Sequence, residues 1–315
     1  DENSSSTVTI TATLSNATYQ DVTVSIGASG GTEGTDYATI SDITISAGST
    51  TGTASLDPTD DSVYEDDETV TVTVDGVSGG SASESGSQSV TITISENESA
   101  PTVTLSVSAT SIAENAGTSL TLTATLSGAT DETVTVGIET GGTSTEGTDY
   151  TDGSGNVDDI TISAGSTTGT VNFTPTDDSI YEGNETAIIS IGSVSGGGAS
   201  ESGTQSVTIT ITENESAPTV ALSVSATSIA ENSGSSLTIT ATLSGKADED
   251  VTVTIGTGGT STEGTDYTDG SGNLNDITIS ANSTTGTVTF TPTDDSVYEG
   301  SETAIVSIDG VSGAD

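Results

Sequence analysis

Cysteine, histidine, methionine and tryptophan are all absent from this 315-residue sequence. Without cysteine there are no disulfides and no thiolate ligands, and without histidine there is neither an imidazole ligand nor the commonest general base. Basic charge is nearly absent too: Lys246 alone faces 47 acidic residues, for a net charge of −46. Nucleic-acid phosphates and anionic lipid headgroups would add negative charge to a surface with almost no cation to answer it, so nucleic-acid binding and direct membrane binding are excluded. No apolar run approaches the length of a membrane span. Only 3% of residues are aromatic, which leaves no platform for a sugar ring and argues against glycoside hydrolysis by paired carboxylates. The chemistry that remains is carboxylate chemistry.

What is present is a repeat. Pro58, Pro175 and Pro292 are 117 residues apart, as are Asp60, Asp177 and Asp294, and Tyr64, Tyr181 and Tyr298. That period is far longer than a solenoid unit and matches an independent β-sandwich. The junction Glu96-Asn97-Glu98-Ser99-Ala100-Pro101 recurs as Glu213-Asn214-Glu215-Ser216-Ala217-Pro218. The expected repeats are therefore 1–99, 100–216 and 217–315. Linkers this short make neighbouring repeats touch, and what sits between them sets the stiffness of the array.

In the middle repeat, apolar residues alternate with Thr and Ser in seven runs: Val103, Leu105, Val107; Leu120, Leu122, Ala124, Leu126; Val134, Val136, Ile138; Ile160, Ile162; Val171, Phe173; Ala187, Ile189, Ile191; and Val207, Ile209, Ile211. A period of two bounded by Gly, Ser, Asn and Asp clusters reads as strands, here numbered β1 to β7 within the repeat. Seven short strands per repeat predict an all-β chain of tandem immunoglobulin-like antiparallel β-sandwiches forming an extended rod. Because each strand crosses the sandwich, the β1–β2, β3–β4 and β5–β6 connections and the end of β7 are expected at one pole. The β2–β3, β4–β5 and β6–β7 connections belong to the other.

The acidic residues that recur once per repeat fall on the first set of connections. In the middle repeat they are Glu114, Asp149, Asp177, Asp178, Glu182, Glu185, Glu213 and Glu215; in the first, Glu2, Asp36, Asp60, Asp61, Glu65, Glu68, Glu96 and Glu98; in the third, Glu231, Asp266, Asp294, Asp295, Glu299 and Glu302. One close pair of carboxylates repels by on the order of 4 kcal/mol at an effective dielectric near 20, so such a pole either protonates or binds a cation. Calcium suits it, taking roughly six to eight oxygen ligands in flexible geometry, whereas zinc seeks the nitrogen and sulfur missing here. Two or more ions per complete site are expected. The alternative is a solvated acidic surface, yet these positions hold 22 of the 47 acidic residues, a concentration that favours metal.

The run Pro175-Thr-Asp-Asp-Ser-Ile-Tyr-Glu-Gly-Asn-Glu185, preceded by Gly147-Thr-Asp-Tyr150 and Ala113-Glu-Asn-Ala-Gly117, resembles the Calx-beta domain, in three copies covering the whole chain. Calx-beta domains are calcium-binding β-sandwiches found in sodium/calcium exchangers and large bacterial surface proteins. The resemblance implies calcium ligation by Glu114, Asp149, Asp177, Asp178, Glu182 and Glu185, with further ligands just after β7. Where the family usually has a run of aspartates there, this chain has Glu96-Asn97-Glu98 and Glu213-Asn214-Glu215.

The tyrosine of each Asp-Asp-Ser-x-Tyr-Glu run is expected to pack its ring against its own β5–β6 corner with the hydroxyl near water. The first repeat is expected to lack its first strand and the third its last, which suggests a window from a longer array. The resulting functional expectation is a non-catalytic, extracellular or cell-surface stalk, spacer or filament of a large adhesin-type protein, braced by Ca2+ between neighbouring repeats. The alternatives are an adhesive module engaging glycan or protein partners multivalently, and a fibre subunit joined by strand addition or by lateral or head-to-tail self-assembly.

Overall fold

The computed structural model describes residues 1–313; Ala314 and Asp315, the end of the expected third repeat, lie outside them. In the middle repeat the strands are β1 (Thr102–Val107), β2 (Leu120–Leu126), β3 (Val134–Gly142), β4 (Ile160–Ile162), β5 (Thr168–Pro175), β6 (Glu185–Ser195) and β7 (Ser206–Thr212). One sheet runs β5–β2–β1, extended by the two-residue strands Tyr150–Thr151 and Ser200–Glu201; the other runs β4–β3–β6–β7. A short strand, Ser111–Ala113, leaves the first sheet and pairs parallel with β7 in the second. Its crossing places Glu114 beneath the end of β7, where the Glu114 N–H donates to the Thr212 carbonyl at 3.1 Å.

Alternation does the packing. Leu122, Ala124, Val136, Phe173, Ile189 and Ile209 are fully buried between the sheets, while the threonines between them face outward. Burial of each such Leu, Ile or Phe stabilises by about 1.5–3 kcal/mol. Tyr150 stacks on Phe173 with ring centroids 4.6 Å apart, and Tyr267 on Phe290 at 4.6 Å; in the first repeat the Phe173 position holds the buried Leu56. Phe173→Ala should cost about 3–5 kcal/mol, read as a drop in the denaturation midpoint of one of the transitions.

Each long sheet has a bulge at one place, between Ser25 and Ile26, Gly137 and Ile138, and Thr254 and Ile255. The N–H freed there donates to an aspartate of the β3–β4 connection: Ile26 to Asp42, Ile138 to Asp159 and Ile255 to Asp276, each at 3.0 Å. These three recurrent aspartates are thus accounted for by the backbone.

The first repeat pairs Val8–Thr13 with Thr51–Leu56 and builds its second sheet from Ile43–Ile45, Val22–Ser29, Glu68–Ser78 and Ser89–Ile94. The third has Val220–Val224, Leu237–Leu243 and Thr285–Pro292 in one sheet and Ile277–Ile279, Val251–Gly259 and Ala304–Ser312 in the other. Among the described residues no helix is long and apolar enough to cross a membrane.

Consecutive repeats meet through backbone. The β5–β6 loop of the first pairs parallel with the β2–β3 loop of the second, Val63 with Ala129 and Tyr64 with Thr130. The same two-residue bridge joins Ile180 and Tyr181 to Lys246 and Ala247. Strand parity is satisfied: a β5–β6 pole faces a β2–β3 pole. Tyr64 also reaches the neighbour, where its ring lies against the β6–β7 turn of the second repeat. A Cβ on Gly198, in the β6–β7 turn of the second repeat, would lie 2.6 Å from Tyr64 Cε1, and Gly198 has φ of 57°, so glycine is required there. Tyr298, which has no following repeat against it among the described residues, is 97% exposed.

Candidate metal centre

At the outgoing pole of the middle repeat the carboxylates separate into two trios, each with one oxygen per residue within 4.8 Å of the others: Glu114, Glu213 and Glu215, and Asp149, Glu182 and Glu185. The first repeat shows the same division, into Glu2, Glu96 and Glu98, and Asp36, Glu65 and Glu68. In the third repeat Asp266, Glu299 and Glu302 form the second kind of trio. Asp60, Asp61, Asp177, Asp178, Glu231, Asp294 and Asp295 stand outside the trios, all of them exposed.

Local chemistry explains the split. Asp178 Oδ1 accepts the Ile180 N–H at 2.7 Å, a turn that commits its carboxylate to its own loop, as do Asp61 with Val63 at 2.7 Å and Asp295 with Val297 at 2.6 Å. The N–H of Asp178 in turn donates to Glu114 Oε1 at 3.1 Å, holding the loop to the buried glutamate of the first trio. Asp61 and Glu2 repeat this at 3.3 Å, and Asp295 and Glu231 at 3.2 Å.

Glu213 ties the loop to the linker. Its Oε2 accepts from Glu182 N at 2.6 Å and Gly183 N at 3.0 Å, and its Oε1 from Asn214 N and Glu215 N, both at 2.8 Å. Four donors fill the lone-pair sites of a carboxylate, so Glu213 organises the first trio more than it offers free oxygen to it. Burial pushes the Glu213 carboxyl up, but these N–H donors outweigh it and hold it below the usual range. Glu96 is lowered in the same way, taking the N–H groups of Glu65, Asn97 and Glu98.

The other members are crowded anions. Glu114 is pushed up to about 7, first by burial and then by Glu213, Glu215 and Asp178. Burial, followed by Asp149 and other acidic neighbours, raises Glu182 to about 7 and Glu185 to about 8. Glu65 and Glu68 reach about 7 by burial and the nearby Asp36. Such shifts mark carboxylates that are desolvated first and crowded by like charge second. Two oxygens in the first-kind trios and their linkers, Glu215 Oε2 and Asn97 Oδ1, are buried with no hydrogen-bond partner, a costly state in a protein interior unless something else satisfies them.

Residues 96–215 and 213–314 match the Calx-beta domain family model, together more than half of the chain, and residues 1–97 match the LapA domain model. The chain belongs to the Calx-beta domain family. No curated protein matches it in sequence. Among solved structures this Calx-beta chain is similar to CBD12 from CALX1.2, at 19% identity over 60% of this chain and 74% of that one, with a TM-score of 0.31. It is also similar to the calcium binding domain CBD12 of CALX1.1, at 13% identity over 67% and 94%, with a TM-score of 0.28. Invasin, a bacterial integrin-binding protein, is similar at 16% identity over 92% of this chain and 52% of that one, with a TM-score of 0.31, so the chain spans about half of invasin's length.

The Calx-beta trios fit a divalent cation. Every donor is oxygen, Glu65, Glu68, Glu114, Glu182 and Glu185 are raised by burial and by their acidic neighbours, and an unpartnered carboxylate oxygen lies buried among them. That donor set suits a hard cation of high coordination number.

Sequence reasoning missed Asp131 and Asp248. Each follows the β2–β3 bridge, and each donates its N–H to the tyrosine carbonyl of the preceding repeat, Asp131 to Tyr64 at 3.3 Å and Asp248 to Tyr181 at 3.2 Å. Their recurrence at the 117-residue offset was the available signal.

Proposed function

We propose that the Calx-beta repeats at 1–99, 100–216 and 217–315 form a spacer segment of an extracellular, adhesin-type surface protein, non-catalytic and braced by calcium between neighbouring repeats. The observation that carries this reading is the pair of carboxylate trios on the pole that faces the next repeat, in both the first and the second repeat. Glu114 and Glu215, organised by Glu213, would hold one ion, and Asp149, Glu182 and Glu185 another. Calcium supplies the positive charge that the trios lack. The chain's own residues do the rest: Glu213 and Glu96 fasten the β5–β6 loop to the linker, and the tyrosine-bearing loop presents its backbone to the next sandwich. Whatever binds only the docked, folded arrangement stabilises it by mass action.

Small-angle scattering of the whole chain tests this. Millimolar calcium should lengthen the maximum dimension and narrow the distance distribution, and chelator should reverse both. Identical profiles in the two conditions would overturn the proposal.

A further inference from the structure

The third repeat carries an open sheet edge. Its strand Ala304–Ser312 pairs with Val251–Gly259 on one side and with no strand on the other among the described residues. In the first and second repeats that outer slot is filled, by Ser89–Ile94 and Ser206–Thr212. Both fillers alternate Thr with Val or Ile, and in the middle repeat Ile209 and Ile211 close the core. Beside the open edge of the third repeat lies a groove of about 810 Å³, lined by Leu222, Val224, Ile229, Ile239, Phe290 and Val306 among others. Leu222, Ile229 and Phe290 are half-buried, whereas their counterparts Leu105, Ile112 and Phe173 are buried in one core with Ile209 and Ile211. Likewise Ala304 is exposed and Val306 half-buried, where Ala187 and Ile189 are fully buried. Ser228–Ala230 belongs to no strand, although its counterpart Ser111–Ala113 pairs with β7. The groove therefore has the shape of a missing strand, and the other two repeats show what fits it.

We propose that the third repeat is a strand acceptor: it binds, from a separate molecule, an extended segment with Val or Ile at alternate positions, laid antiparallel along Ala304–Ser312. In the register of the middle repeat, Ile209 lies opposite Ala187 and Val207 opposite Ile189. The same register sets one apolar side chain of the incoming segment opposite Ala304 and the next opposite Val306. The unpaired N–H and C=O groups of the edge supply affinity, and the groove selects the alternation. Glu231, Glu299 and Glu302 also line the groove, so a neutral or basic segment is favoured over an acidic one. Capture orders Ser228–Ala230 as a strand beside the new one, as Ser111–Ala113 is ordered beside β7. No cation takes part, so strand capture stands or falls separately from calcium bracing.

Hydrogen exchange of the full chain in chelator, with and without an end-capped peptide of residues 204–212, tests this. Saturating peptide should slow exchange along Ala304–Ser312 and Ser228–Ala230 by about 10-fold or more, and leave the first two repeats unchanged. The same peptide carrying Ile209→Asp and Ile211→Asp keeps the backbone donors and acceptors but puts charge where the groove takes apolar side chains. It should bind at least about 100-fold more weakly. Both arms use the parent chain, so neither depends on a variant that has to fold. Unchanged exchange along Ala304–Ser312 at saturating peptide, or equal binding of the two peptides, would overturn the inference and leave the calcium-braced reading untouched.

Discussion

In chelator, the Calx-beta chain should lose thermal stability as pH rises from 5 to 8, and saturating calcium should remove that loss. Glu65, Glu68, Glu114 and Glu182 titrate near 7 and Glu185 near 8 in the folded chain, against an ordinary 4.5. Between these limits the folded state holds more protons than the unfolded one, so stability falls as pH rises. The contribution is fully present below about 4.5 and gone once pH has passed through the folded values near 7 and 8. Calcium requires the same carboxylates deprotonated, so its affinity moves in the opposite direction. At a free concentration 100-fold above Kd each site adds about 2.7 kcal/mol, worth on the order of 10 °C for a domain of this size. The gap between calcium and chelator melting curves should therefore open from little at pH 5 to its greatest at pH 8. Scanning calorimetry at each pH measures it, with the three repeats resolved as separate transitions where they unfold independently. A constant gap would mean that protons and calcium do not share these carboxylates.

Much of this arrangement was legible in the sequence, because it follows from period and parity alone. Leu120, Leu122, Ala124 and Leu126 alternate in the sequence and all four are buried; chain order then assigns each connection to a pole. That logic brought Glu114, Asp178, Glu182 and Glu213 together, and hydrogen bonds between their loops now link them. The division into two trios was not legible. It depends on which oxygen each backbone N–H captures: Asp178 is turned back on Ile180, and Glu213 is filled by four donors. The crossing of Ser111–Ala113 to the second sheet was also missed, since three residues carry too little periodicity. Tyr64 and Asp131 were hardest, because the partner of each lies in another repeat. Alignment of a repeat with its own copies reveals what recurs, and it is silent about what touches across the junction.

The second large effect is a reversal of sign at Glu185. This glutamate has an oxygen within 4.8 Å of one of Asp149 and is raised to about 8, by burial first and then by the Asp149 charge. Glutamine keeps its shape and can donate to Asp149 as the protonated acid does, while removing the charge. In chelator at pH 8, Glu185→Gln should stabilise the middle repeat, by on the order of 1 kcal/mol after allowance for solvent screening. In calcium the same change removes a ligand. A 10- to 100-fold loss of affinity takes away about 1.4–2.7 kcal/mol of linkage, so the variant should melt below the parent by several degrees. A residue that merely packs would shift both curves in one direction, and an exposed carboxylate of a solvated acidic face would shift neither. Only a charge that is a liability in the free chain and a ligand in the loaded one produces curves that cross. Matched calorimetric scans of parent and variant, in chelator and in calcium, show which of these Glu185 is.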